Sequence, residues 1–199
     1  MPNSESMRST IPLETSIASS FVVVVTGQIC SVSFPMLNTL YLRYVISYGP
    51  DWRLTHGLTT GLSQLSKSMN GAFTFNFPID IGFESTNAFG WPRISFGLYG
   101  HDFLGRDVVR GYGSILIPII SGRYLPKVQL YRPISGSWWD QITNYIRGTS
   151  PEYYETVFTA RGEGRECTRV KCEDGEILLE LNVVSKDMER FGFLTAKNQ

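Results

Sequence analysis

The chain has 199 residues, 42% of them hydrophobic and 13% aromatic, enough for one domain with a substantial core and too apolar for a disordered chain. Eighteen basic residues balance eighteen acidic ones, and neither half carries the basic excess that non-specific nucleic-acid binding requires, so nucleic acid is not expected as a partner. The most apolar run, Phe21 to Val25, is far shorter than the roughly twenty residues of a membrane span.

Residues 1–20 are rich in Ser and Thr and lack the charged-then-apolar layout of a signal peptide, so they read as a flexible tail ahead of a domain over 21–185. The three cysteines, Cys30, Cys167 and Cys172, form no paired framework; they point to a reducing compartment and to packing roles. Phe21 to Cys30 (FVVVVTGQIC) is β-branched and aromatic and predicts a first strand, buried on both faces at its start. Leu40, Leu42, Tyr44 and Ile46 share a face of the next strand, which ends at Gly49-Pro50-Asp51. Trp52 to Gly71 has little periodicity and reads as a loop or short helix.

The strongest signal is Phe73 to Glu84. Phe73, Phe75, Phe77, Ile79, Ile81 and Phe83 alternate with Thr74, Asn76, Pro78, Asp80, Gly82 and Glu84, the pattern of a strand with one buried and one wet face. Burying those six side chains contributes roughly 10–15 kcal/mol before ordering entropy is charged against it. The run is about twice the usual strand length, which predicts a bend near Pro78. Ile94, Phe96 and Leu98 alternate in turn, and a strand from Val108 follows a turn that carries Asp102 and Gly105; Gly111 and Gly113 mark a bulge or a close backbone approach. Leu125 to Pro133, bracketed by prolines, reads as an edge strand.

Ser137 to Arg147 breaks the β pattern. Trp138, Ile142, Tyr145 and Ile146 fall on one stripe of a short helix, with Trp139 beside it. That helix either covers an open end or edge of the sheet, or offers Trp138 or Trp139 to a partner. Trp138, Trp139, Ile142, Tyr145 and Trp52 are the partner-binding candidates. Beyond Pro151, further strands are expected over 154–161, 166–172 and 176–185. Asp174-Gly175 reads as a hairpin turn, Ile177, Leu179, Leu181 and Val183 share a face, and a polar tail runs over 186–199. The fold class is therefore all-β: an antiparallel sandwich of about eight strands with one short helix near 137–147.

Chemistry is sparse. His56 and His101 lie far apart and in no metal-ligand spacing, and neither a nucleophile elbow nor a phosphate loop occurs, so no catalytic residue, metal or cofactor is expected. Calcium takes six to eight oxygens, whereas the loops offer at most Asp51, Asp102 and Asp107, with Asp80 on a strand. Asp107 is expected as a turn residue or as a partner for Arg106 or Arg110.

An ordered set of motifs carries a resemblance: Asn76 to Asp80 (NFPID), Ser85-Thr86-Asn87, Gly90-Trp91-Pro92, Tyr99-Gly100 and Asp107 to Gly113 (DVVRGYG). It continues in Gly27-Gln28, Tyr48-Gly49, Asp51-Trp52, Pro151 to Tyr153, Gly162 to Glu166, Thr168 to Val170, Asn182 to Val184 and Lys186 to Met188. Over about residues 21–193 the chain resembles B9 domain proteins, C2-like sandwiches of the ciliary transition zone. The resemblance implies a non-enzymatic scaffold on the cytoplasmic side of the cilium base, at the basal body and transition zone. It would assemble there with other B9 proteins, including the Meckel syndrome type 1 protein, and with tectonic and other transition-zone membrane proteins. The implied role is in ciliogenesis and in the diffusion barrier of the ciliary membrane. The rival reading is a C2-type lipid-binding module, calcium-independent, docking through loops near Trp52 or Asp102 to Leu104. The Gly90-Trp91-Pro92 and Arg110-Gly111-Tyr112 motifs are either structural or interfacial, and glycine and proline in turns and bulges favour the structural role.

Overall fold

A computed structural model describes residues 19–35, 37–102, 104–134 and 169–193. Among these, eleven strands form one curled antiparallel sheet. They are β1 (Phe21–Ser33), β2 (Thr39–Ser47), β3 (Trp52–Gly57), β4 (Thr60–Leu62), β5 (Ser66–Lys67), β6 (Ala72–Ser85), β7 (Arg93–His101), β8 (Asp107–Leu116), β9 (Gly122–Tyr124), β10 (Lys127–Ile134) and β11 (Arg169–Lys186). Eleven exceeds the eight or so strands expected, and β4, β5 and β9 have only two or three residues each.

The order β3-β6-β1-β11-β10-β8-β7-β2-β4 folds into two facing walls. One wall is β3-β6-β1-β11, with Phe73, Ile81, Phe83, Phe21, Val25, Leu179 and Leu181 turned inward. The other is β8-β7-β2-β4, with Phe96, Leu98, Leu42 and Tyr44 inward, and all these side chains belong to one core. The Tyr44 ring on β2 meets Phe77 on β6 across that core, edge to face at 6.0 Å. The alternation of Phe73 to Phe83 thus lines the first wall, as the pattern predicts.

The bend in β6 is displaced from its predicted place. Two residues of β6, Phe75 and Asn76, oppose Cys30 of β1, and Asn76 takes a left-handed φ of 46°. This is a β-bulge. Pro78 is tolerated without one because β3 pairs β6 only from Ile81 onward, leaving Pro78 a single strand neighbour. A matching bulge at Cys30 in β1 switches the inward parity from Phe21, Val23, Val25 and Ile29 to Val32. β1 is also buried on one face only: Val22 and Val24 are half-exposed on the outside, where the two-sided expectation fails.

Residues 52–67 hold three short strands instead of a loop or helix. β3 pairs with β6 and β4 with β2, so the chain steps from one wall to the other within two residues, at Leu58 and Thr59. Gly57 turns that corner with φ 92°, and a Cβ there would overlap the Asp80 carbonyl. Backbone pairing at an edge requires no apolar alternation, which is why sequence periodicity misses these strands.

The proline-bracketed segment is interior: β10 lies between β11 and β8, although it joins β8 at the single pair Tyr131–Tyr112. Asp174-Gly175 is not a hairpin turn. β11 runs unbroken past it, and Glu173 to Gly175 bulge opposite Leu130. A two-residue hairpin of that type needs positive φ at both central residues, and neither Asp174 nor Gly175 has it. Gly175 is there for space: a Cβ would lie 2.6 Å from a Phe34 ring carbon and 2.7 Å from Leu130 Cδ1. Nor does order end at Ser185. A 3-10 helix, Met188–Phe191, buries Met188, and Phe191 and Phe193 pack edge-on against Phe21, each at 5.6 Å. The helix expected over 137–147 and the strand over 154–161 lie outside the described residues.

Candidate interaction surface

Motif residues far apart in the chain meet at one end of the sandwich. The connection β2–β3 (Tyr48 to Asp51), the connection β6–β7 (Thr86 to Pro92), the start of the β8–β9 connection and the turn after β11 all gather there. Gly49 and Gly90 touch backbone to backbone: the Gly49 N–H donates to the Gly90 carbonyl at 2.8 Å, and a Cβ on Gly49 would lie 2.9 Å from Gly90 Cα. Gly90 also takes φ 69°, a left-handed conformation that only glycine adopts without cost. The single Ser85 hydroxyl proton is shared between the Asp51 and Asn87 carbonyls (2.9 and 2.7 Å from Oγ), and Asn87 Nδ2 donates to the Asp51 carboxylate at 3.2 Å.

Two indoles pin this end from inside. Trp52 Nε1 donates to the Phe89 carbonyl at 2.9 Å, and Trp91 Nε1 to the Ile117 carbonyl at 2.8 Å. The rings pack edge to face at 4.9 Å, with Phe21 at 5.4 Å and Phe83 at 6.2 Å from Trp52. Trp52 is 4% exposed, so it is a core side chain and offers no surface to a partner or a membrane, contrary to expectation. The other partner-binding candidates, Trp138, Trp139, Ile142 and Tyr145, lie outside the described residues. Gly90-Trp91-Pro92 is structural in each member: close approach, indole hydrogen bond and a buried proline. So is Arg110-Gly111-Tyr112. Arg110 donates to the His101 carbonyl at 2.6 Å, Gly111 sits at a bulge against Leu130, and Tyr112 is buried.

Beside exposed Asp51, Thr86 and Asn87, this end leaves large apolar side chains outside. Phe89 is 72% exposed although its own N–H donates to Asn87 Oδ1 (2.9 Å) and its carbonyl is held by Trp52. Leu116 and Ile119, at the end of β8 and just beyond it, are exposed as well. An aromatic held out on a rigid loop loses little entropy when it is covered, the property of an interface anchor. Sequence reading missed Phe89; the visible signal was a phenylalanine placed between turn formers, Asn87 and Gly90, where a core residue has no use. A second exposed apolar set, Leu58, Leu62, Leu65 and Met69, follows the wall-crossing segment.

The titratable groups are spent locally. Asp102 Oδ1 accepts from the Leu104 and Arg106 N–H groups (2.8 and 2.9 Å), and Arg106 Nε reaches its other oxygen at 2.8 Å. The Arg106 backbone bond, followed by the guanidinium and the Leu104 N–H, holds the Asp102 carboxyl below its ordinary range. Asp107 faces His101 at 3.5 Å rather than Arg106 or Arg110, and Asp80 faces His56 at 3.3 Å. Asp51 stands at the opposite end of the strands from Asp102 and Asp107, so the loop carboxylates do not converge. Among the described residues no three His, Cys, Asp or Glu side chains group to hold a metal. Burial, reinforced by Glu180, pushes the Cys30 thiol up, which makes it a poor nucleophile. Cys172 is exposed on β11, and Cys167 lies outside the described residues. No described helix is long and apolar enough to cross a membrane.

Comparison with known proteins places these features in a family. A family model described as ciliary basal body-associated B9 protein matches residues 23–184. B9 domain-containing protein 1 of Mus musculus is 43% identical over 180 residues, covering 89% of this chain and 88% of the mouse protein. Its Homo sapiens counterpart is 42% identical, covering 92% and 91%. The human B9 domain-containing protein 2 is 28% identical, covering 85% and 97%. A C2 domain of a plant extended synaptotagmin 1 aligns with 81% of this chain and 92% of that one at 10% identity and TM-score 0.38, while the all-β antiparallel architecture rests on the strand pairing itself. With the family model covering most of the chain, this protein belongs to the B9 family, described as ciliary basal body-associated.

Proposed function

We propose that the protein is a non-enzymatic scaffold subunit of the transition-zone assembly at the cilium base, binding other B9 proteins through the loop end that presents Phe89, Leu116 and Ile119. The supporting observation is the coincidence of two facts: family motifs converge to make that end rigid, and the rigid end displays apolar side chains. The partners are sibling B9 proteins, including the Meckel syndrome type 1 protein, with tectonic and other transition-zone membrane proteins completing the complex. Its place is the cytoplasmic side of the transition zone and basal body, supporting ciliogenesis and the membrane diffusion barrier.

Titration of the full chain with a B9 domain-containing protein 2 tests this. An anchor of this kind is worth about 2 kcal/mol, so Phe89→Ser weakens binding about 30-fold with an unchanged melting temperature. Unchanged affinity for both Phe89→Ser and Ile119→Ser removes the loop end from the interface.

The second reading, a calcium-independent lipid-docking module, draws on Leu104, 60% exposed at the opposite end in the β7–β8 loop. Flotation of the protein with phosphatidylserine vesicles, lost in Leu104→Ser and indifferent to chelator, favours it; absence of flotation removes it.

A further inference from the structure

The two walls differ on their outer faces. On β6, the outward residues Thr74, Asn76, Pro78 and Asp80 are exposed, as a wet face requires. On β7 and β8 the outward residues at the strand ends, His101, Asp107 and Leu116, are exposed too, but those in the middle are not. Ser95 is 0% exposed, Tyr112 1% and Val109 1%, and Val45 on β2 is buried beside them. These residues face away from the core. Ser95 pairs across to Val45 and Ser114, opposite in parity to Ile94 and Phe96, and Val45, Val109 and Tyr112 lie outside the core cluster. Tyrosines band the same face: Tyr41 stacks on Tyr99 at 5.2 Å, and Tyr112 lies 6.5 Å from Tyr131 of β10. Every described strand belongs to the walls themselves, so none lies over this face.

We propose that this outer face of β2, β7, β8 and β10 is an internal docking surface, and that its occupant is the chain's own segment 135–168. The segment leaves from Ile134 and returns at Arg169, which pair with each other at the end of the β10–β11 ladder. β10 in turn is the neighbour of β8. Reaching β2 from there means crossing three strand spacings, about 15 Å. Thirty-four residues (135–168) reach about 50 Å out and back. The composition fits as well, since the segment contains Trp138, Trp139, Ile142, Tyr145 and Ile146, and the face offers tyrosine rings, Val45 and Val109. Ser95 Oγ finds no hydrogen-bond partner, a state that open water would relieve and an apolar cover sustains. The proposal goes beyond the scaffold reading. It gives the second wall a second buried face, and it spends the tryptophans of 135–168 inside the molecule, apart from the loop end.

The test is photo-crosslinking in the full chain, with p-benzoylphenylalanine introduced separately at Arg43 and at Tyr99, the first exposed at the rim and the second half-buried on the face. After irradiation of monomeric protein, the adducts from at least one position map to peptides within 135–168. Crosslinks confined to a second copy, crosslinks confined to residues 1–18, or no crosslink from either position overturns the proposal.

Discussion

Replacing Gly90 with alanine isolates the contact on which the loop end depends. Gly90 has φ 69°, and an L-residue in that conformation costs about 1–2 kcal/mol. Gly105 supplies the control: its φ is 76°, but nothing lies within 4 Å of the position a Cβ would occupy. Gly105→Ala therefore carries the conformational cost alone. At Gly90 the added Cβ overlaps Gly49 Cα, and the hydrogen bond from the Gly49 N–H to the Gly90 carbonyl prevents easy separation. Moving the backbones apart strains that bond and the one from Trp52 Nε1 to the Phe89 carbonyl, about 2–3 kcal/mol more. With a urea dependence of about 2 kcal/mol per molar, the unfolding midpoint falls by about 1.5–2.5 M for Gly90→Ala and about 0.5–1 M for Gly105→Ala. Equal shifts for the two variants would refute the close-approach argument.

Three other substitutions probe separate parts of the fold. Trp52→Phe removes the Nε1–H bond to the Phe89 carbonyl and leaves the space of the lost pyrrole ring, which together cost about 2–4 kcal/mol in urea unfolding, and it accelerates amide exchange across 86–92; an unchanged exchange pattern contradicts the pinning role. Gly175→Ala pushes a methyl into Phe34 and Leu130 and costs about 1–3 kcal/mol, whereas a solvent-exposed glycine without positive φ would gain stability. Asp102 titrates below its ordinary range in the folded protein, so its contribution is present above pH about 4 and is lost as pH falls through the lowered native value. The melting-temperature advantage of the parent over Asp102→Asn is therefore constant near neutrality and shrinks below pH about 4; an advantage that grows on acidification reverses the sign and contradicts it.

Long apolar alternation was the legible part of the fold. Phe73 to Phe83 and Ile177 to Val183 each declare an inward face because burial and period coincide along many residues. The strands over 52–67 were illegible because they pair through the backbone at an edge, with Thr, Gly and Ser side chains that carry no period. Asp174-Gly175 misled because the same dipeptide serves a left-handed turn or a tight contact, and only the Phe34 ring decides between them. The outer face of β7 was invisible for a related reason: Ser95 and Gly97 look like wet positions, and their burial depends on something distant in sequence. As for the loop end, its motifs were legible one by one. Their convergence was not, since Asp51 with Asn87 and Trp52 with Phe89 are contacts across more than thirty residues.

Hydrogen exchange of the full chain, alone and mixed with a B9 domain-containing protein 2, tests most directly the proposal that the loop end is a binding surface for such a partner. Protection concentrated in 86–92 and 117–121 is the predicted footprint. Protection along 58–69, with both loops exchanging as they do in the free protein, would move the interface to the wall-crossing edge and contradict the proposal.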